Sequence, residues 1–137
     1  GFATVAAFDS GNLLPVAKAL HAKFPDKPIL IAGDDDRHLE ATQGINPGRS
    51  KAEEAAKAVG GKVLLPIFAP GEQAANLKGF TDFNDLATKS VLGREGIERQ
   101  VCAVVDDVIE RYQVHAVELP QQVEKREHRL SRAVKVG

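Results

Sequence analysis

The stretch Ile29-Leu30-Ile31-Ala32-Gly33-Asp34-Asp35-Asp36 decides how this chain is read. Four apolar residues, entered from Pro28 and closed by Gly33, predict a short strand. It is apolar throughout rather than alternating, which suits a sheet covered on both faces. Three carboxylates follow without a break. They repel one another, and each is costly to bury without a counter-charge, so the turn predicts a solvated rim or a bound cation. In an open parallel α/β sheet, ligands bind beyond the carboxyl ends of the strands. These acids fall at that end.

Before this strand, Thr4 to Phe8 is another candidate strand, and Asp9 ends it. Ser10-Gly11-Asn12 make a turn with Asn12 as the helix N-cap. Pro15 falls in the first turn, where its missing N–H costs little. Leu13, Val16, Ala17, Leu20 and Phe24 recur at helical spacing as one apolar stripe, and Pro25 to Pro28 stop the helix. On the other side of the acids, Arg37 to Gly44 reads as a polar, irregular stretch. Asn46-Pro47 reads as N-cap and first helical position, with Ser50 a competing start. Ala52, Ala55, Ala56 and Val59 form a small-residue face that would let this helix lie close to a sheet, and Gly60-Gly61 end it. Val63-Leu64-Leu65 with Ile67 predicts the third strand.

Strands and helices therefore alternate with connections of the length that parallel βαβ units use. Phe68 to Gly79 reads as a loop, and Thr81 or Asp82 caps a short helix through Ala87. A longer helix runs from about Arg94 to Tyr112, with Ile97, Val101, Val104, Val105, Val108 and Tyr112 as its stripe. The fold class expected is α/β, with a mostly parallel sheet flanked by helices and an extra C-terminal helix. Residues 1–113 form the α/β domain. Residues 114–137, rich in Lys and Arg beyond Pro120, read as a basic tail: a solvated helix or a disordered linker.

Composition narrows the function. A length of 137 residues supports one domain with a core, and 43% hydrophobic with 27% charged residues is ordinary for a globular chain. A formal net charge of -1 gives no overall pull toward nucleic acid or an anionic membrane. The single cysteine, Cys102, cannot form an internal disulfide, so a reducing cytoplasm is expected; it lies within the long helix and reads as core or inert. No apolar run has membrane-spanning length. The chain opens Gly-Phe-Ala-Thr and contains no Met, so it is expected to be a piece of a longer protein.

Three motifs bear chemistry. Alternate residues of an extended segment share a face, so Asp34 and Asp36 point together while Asp35 points elsewhere. Two hard oxygen ligands suit Mg²⁺, which takes one or two carboxylates plus waters and phosphates; a solvated turn is the plainer reading. Asp82-Phe83-Asn84-Asp85 is either a helix cap with its N3 partner or a further pair of acids brought to the same rim. Ser10-Gly11-Asn12 offers helix N-terminal N–H groups to a phosphate but lacks the full glycine fingerprint of dinucleotide or P-loop sites. His21, His38, His115 and His128 show no paired metal spacing. Of these, only His38 lies close to the acids in sequence, and it reads equally as a solvated loop residue.

In this order, Ser10-Gly11-Asn12-Leu13, Ile29 to Asp36, Asn46-x-Gly48, the Ala-rich helix ending Val59-Gly60-Gly61, and Asp82-Phe83-Asn84-Asp85-Leu86 resemble the TOPRIM domain. The likeness covers roughly residues 3 to 90 and is strongest to plasmid- and phage-type DNA primases or primase–helicases. It implies a three-layer, Rossmann-like fold and Mg²⁺ (or Mn²⁺) held by Asp34 and Asp36. Asp82 and Asp85 would complete the catalytic acids, while Ser10, Gly11, Asn12 and Asn84 would sit near nucleotide phosphates. It also implies nucleotidyl transfer from nucleoside triphosphates on single-stranded DNA during plasmid or phage replication or conjugation, with a helicase region as a possible partner. One departure stands out. The family's first motif is a glutamate at the end of a strand before Thr4, and no residue here fills that place. The expectation is that this strand belongs to the longer protein, and that the fragment alone catalyses little.

Competing readings are a TOPRIM nuclease or topoisomerase fragment, and a non-catalytic module that binds nucleic acid or a partner. A topoisomerase needs a tyrosine nucleophile, but Tyr112 lies on an apolar stripe. A receiver domain wants its acid pair after the first strand. A dehalogenase-like phosphatase wants a small residue or Thr where His38 stands.

Overall fold

The structure is a computed structural model that describes residues 3–5, 9–117 and 134–136, with the side chains of residues 9 and 11–111. Its sheet has four parallel strands in the order β1 (Ala3–Val5), β4 (Val134–Val136), β2 (Ile29–Ala32) and β3 (Lys62–Leu64). Ile31 lies opposite Val136 on one side and Val63 on the other, and Val136 lies opposite Val5. All the strands therefore leave the sheet at the same rim. The α/β class expected from the sequence is the one observed.

Alternation along β2 sorts the layers. Ile29 and Ile31 are buried in one cluster with Leu13 and Ala17 of α1 (Leu13–Lys23) and with Ala52, Ala55, Ala56 and Val59 of α3 (Pro47–Val59). Val63 packs on the same face. Leu30, Lys62 and Leu64 belong to the opposite face. There Lys62 Nζ meets Asp107 Oδ2 at 2.9 Å on α6 (Gly93–Val117), which places this long helix across the sheet from α1 and α3. Three layers result. The small residues of α3 permit the close approach: a Cβ on Gly33 would lie 2.6 Å from the Ala52 Cβ, so any side chain at the end of β2 would push α3 away.

Several local expectations need correction. Arg37–Gln43 is a helix, α2, that starts after Asp36 and ends at Gly44, whose φ of 75° is left-handed. None of its residues is buried, so it carries no apolar periodicity for a sequence reading to find. Within the loop from Phe68 to Gly79, Glu72–Ala75 forms a one-turn helix, α4. β3 ends at Leu64, and Ile67 is 66% exposed rather than part of a strand. Along α6 the expected stripe is present, with Ile97, Val101, Val104 and Val108 half-buried and Val105 buried, but Cys102 is exposed rather than core, and Tyr112 falls outside the described side chains. The expected strand Thr4–Phe8 is described only as far as Val5. Val134–Val136, expected in a tail, is a strand of the sheet. Three residues are too few for composition to reveal a strand, and residues 118–133 lie outside the described set.

Candidate functional site

Gly33 continues the ladder one residue past β2 by donating its N–H to the Leu64 carbonyl at 3.0 Å. The chain then turns through the three acids, and each meets a different fate. Asp35 is 3% exposed. Its Oδ1 accepts from Asn46 Nδ2 at 2.7 Å and from a terminal nitrogen of Arg49 at 3.0 Å; its Oδ2 accepts from Arg37 Nε at 3.0 Å and Gln73 Nε2 at 3.2 Å. Burial, the largest single influence, pushes the Asp35 carboxyl upward. Together the bonds from Asn46, Gln73 and Arg37 and the charge of Arg49 outweigh it and hold the group below the ordinary carboxylate range.

Asn46 is the hinge of this arrangement. It was expected as the α3 N-cap, and its Oδ1 does accept the Arg49 backbone N–H at 3.2 Å. The same oxygen also accepts the Asp36 backbone N–H at 2.9 Å, while its amide nitrogen serves Asp35. Two residues on, Gly48 donates its backbone N–H to Asp36 Oδ2 at 2.8 Å. A Cβ on Gly48 would stand 2.5 Å from the Asp34 carbonyl oxygen, so only glycine allows the helix start to sit this close.

Asp34 is exposed, and among the described residues no hydrogen bond or ion pair holds its carboxyl. That carboxyl lies above the ordinary range. Partial desolvation is the largest cause, followed by repulsion from Asp36, Asp82 and Asp85 in that order. The two acidic segments are neighbours, and the backbone joins them directly: Asp35 donates its N–H to the Thr81 carbonyl at 2.7 Å.

On the second segment the expected cap is present. Asp82 Oδ1 accepts the Asp85 N–H at 2.7 Å at the start of α5 (Phe83–Thr88). Asp85 is buried and accepts from the backbone N–H and hydroxyl of Thr81, at 3.0 and 3.2 Å, and from Lys89 Nζ at 2.7 Å. Burial pushes its carboxyl up, but Lys89 and Thr81 prevail and hold it low. Asn84 is exposed on α5.

Ser10–Asn12 form a 3-10 turn that packs on α3. Asn12 makes no side-chain cap. Its backbone N–H donates to Asp9 Oδ1 at 3.1 Å and its side-chain amide to Asp9 Oδ2 at 3.2 Å. His38 lies in α2 with its Nδ1 buried and unbonded. The predicted acids thus meet. Sequence reading missed that Asp35 is the structural member of the triplet, and it missed Arg37, Arg49 and Gln73 as its partners. Asn46-x-Gly48 was the only visible signal for that cluster.

Among the described residues, no three His, Cys, Asp or Glu side chains form a ready-made metal cage. What the rim offers is the hard-oxygen pair Asp34 and Asp36, with no cation among the described residues paired to Asp34. That donor set fits a cation which keeps waters and takes phosphate oxygens, as Mg²⁺ does.

Over 97% of its length the chain is 44% identical to a DNA primase TraC of Escherichia coli, of which it covers 18%. A second DNA primase TraC from Escherichia coli is also 44% identical, over 96% of the chain and 13% of that relative. The chain is therefore related to DNA primases but spans less than a fifth of the length of these relatives. No family model matches it, and no solved structure does. Among the described residues, no helix is long and apolar enough to cross a membrane.

Proposed function

We propose that this chain is the TOPRIM-type catalytic segment of a DNA primase that makes primers on single-stranded DNA from nucleoside triphosphates. The observation that carries the proposal is the meeting of two acidic segments through the Asp35 N–H to Thr81 carbonyl bond, with no neutralising partner for Asp34 among the described residues. Asp34 and Asp36 would hold Mg²⁺ or Mn²⁺, and the cation would offset charge on the phosphates during transfer. The other residues do the positioning. Asp35 anchors the turn, Gly48 and Asn46 orient Asp36, and Asp85 with Lys89 fixes Thr81, so that Asp82 is presented beside Asp34. Such a site works through placement and electrostatics and needs no covalent nucleophile. The kinship with DNA primase TraC supports this chemistry over a nuclease or topoisomerase reading.

Paramagnetic Mn²⁺ tests the site. Added to the isotopically labelled chain, it should broaden amide signals from Gly33 to Arg37 and from Thr81 to Asp85, and the double variant Asp34→Asn, Asp36→Asn should lose that broadening. Broadening that is absent, or that survives in the double variant, would end the proposal.

A further inference from the structure

A second feature shares Asp35 with the acid turn: a cavity of about 390 Å³ lined by Asp35, Arg37, Arg49 and the loop from Leu65 to Gly71. Its size lies in the range of small-molecule sites. The two walls differ in chemistry. On one, Arg37 spends only its Nε on Asp35, and Arg49 spends one terminal nitrogen; the Arg49 Nε is buried, with no acceptor among the described residues, so the donors left for a ligand are the remaining terminal N–H groups. A guanidinium carries five N–H donors, so most of this fork is unfilled. Two guanidiniums against one carboxylate leave that wall with a net positive charge, next to an otherwise acidic rim.

The other wall is apolar, with Phe68 buried and Ile67 66% exposed. Ile67 is not exposed through looseness. Gln100 of α6 accepts its N–H at 3.0 Å and donates to its carbonyl at 2.7 Å. Glu72 holds the same loop by accepting the Ala69 N–H at 3.1 Å, and it is fixed in turn by Ser90 Oγ at 2.7 Å and the Val91 N–H at 2.8 Å. A large aliphatic side chain on a pinned loop, facing unfilled guanidiniums, is an arrangement that complements a planar base carrying phosphates.

We infer that this cavity is a nucleotide-binding site for a nucleoside triphosphate, with the phosphates on Arg37 and Arg49 and the base against Ile67 and Phe68. The inference rests on the proposed primase reading and deepens it. Of the acid triplet only Asp35 lines the cavity, so the cavity is tied to the acid turn through the carboxylate that pairs with both arginines.

The test keeps metal out. ATP titrated into the labelled chain in EDTA should shift the amide signals of Arg37, Arg49 and Ile67 to Ala69. Arg37→Gln should weaken both ATP and inorganic tripolyphosphate roughly tenfold, whereas Ile67→Ser should weaken ATP and leave tripolyphosphate unchanged. Ile67 is 66% exposed, so Ile67→Ser should melt as the parent does. Arg37→Gln gives up one bond to buried Asp35, should melt somewhat lower, and is compared with the parent at a temperature where both are folded. Equal ATP affinity in parent and variants, or shifts at Ser10–Asn12 instead, would overturn the inference. So would a thymidine oligonucleotide that occupies the cavity and is not displaced by ATP. Loss of Mn²⁺ broadening at the acids with ATP binding intact would overturn the metal reading and leave the pocket standing; the converse result would do the opposite.

Discussion

The two acidic segments that meet at the rim are alike in charge and opposite in use. At Asp82–Asp85 both carboxylates are spent locally: Asp82 caps α5, and Asp85 pairs with Lys89 one turn on. At Asp34–Asp36 the middle acid takes four donors from four residues while Asp34 takes none among the described residues. Neutralising the centre of the triplet lets the turn fold. Leaving its flank unpaired keeps charge available for a ligand. Acid count alone does not mark a site; the placing of counter-charges does.

The sharpest way to break this contrast is to remove the buried member. Asp35→Ala leaves the buried Asn46 amide without its acceptor, while Arg37 and Arg49, 52% and 32% exposed, return to water, so a cost of about 3 kcal/mol is expected. Urea unfolding should show that loss, against well under 1 kcal/mol for a substitution at exposed Asn84. Gly48→Ala comes next. Its Cβ would collide with the Asp34 carbonyl and Asp36 Oδ2, so a cost of about 1–3 kcal/mol is expected, with displaced amide signals at Asp34 to Arg37. Asp82→Ala removes a cap worth about 1 kcal/mol, a modest fall in thermal midpoint.

The smallest effect has the opposite sign. The Asp34 carboxyl is raised in the folded state, so its contribution to stability is present below the unfolded carboxylate value and is lost as pH rises through the raised one. At neutral pH the group opposes folding. Asp34→Asn should therefore stabilise the chain slightly, by about a few tenths of a kcal/mol for so screened a charge, and the gain should vanish below pH of about 4. Asp35 and Asp85 behave conversely. Their depressed carboxyls contribute stability above the unfolded value, and that contribution falls away as acid titrates them in the folded state. Thermal melts of parent and Asp34→Asn across pH 3 to 7 read both signs at once.

Much of the scaffold was legible. Ile29–Ala32 announced a buried strand, Asn46-Pro47 a capped helix, and Asp82 a second cap, because each depends on neighbours a few residues away. Helix α2 was not legible, since no face of it is buried and periodicity has nothing to report. Ile67 misled for a related reason: an apolar residue after a strand reads as more strand, and only its clamp to Gln100 shows it belongs to a loop.

By itself, the sequence determined that an apolar strand ends in acids and that a small-residue helix follows it, since local propensity and apolar patterning act over one or two turns. Only the tertiary structure decided which acid is neutralised. The donors to Asp35 lie 2, 11, 14 and 38 residues along the chain, and a carboxylate's charge state is set by what surrounds it in space.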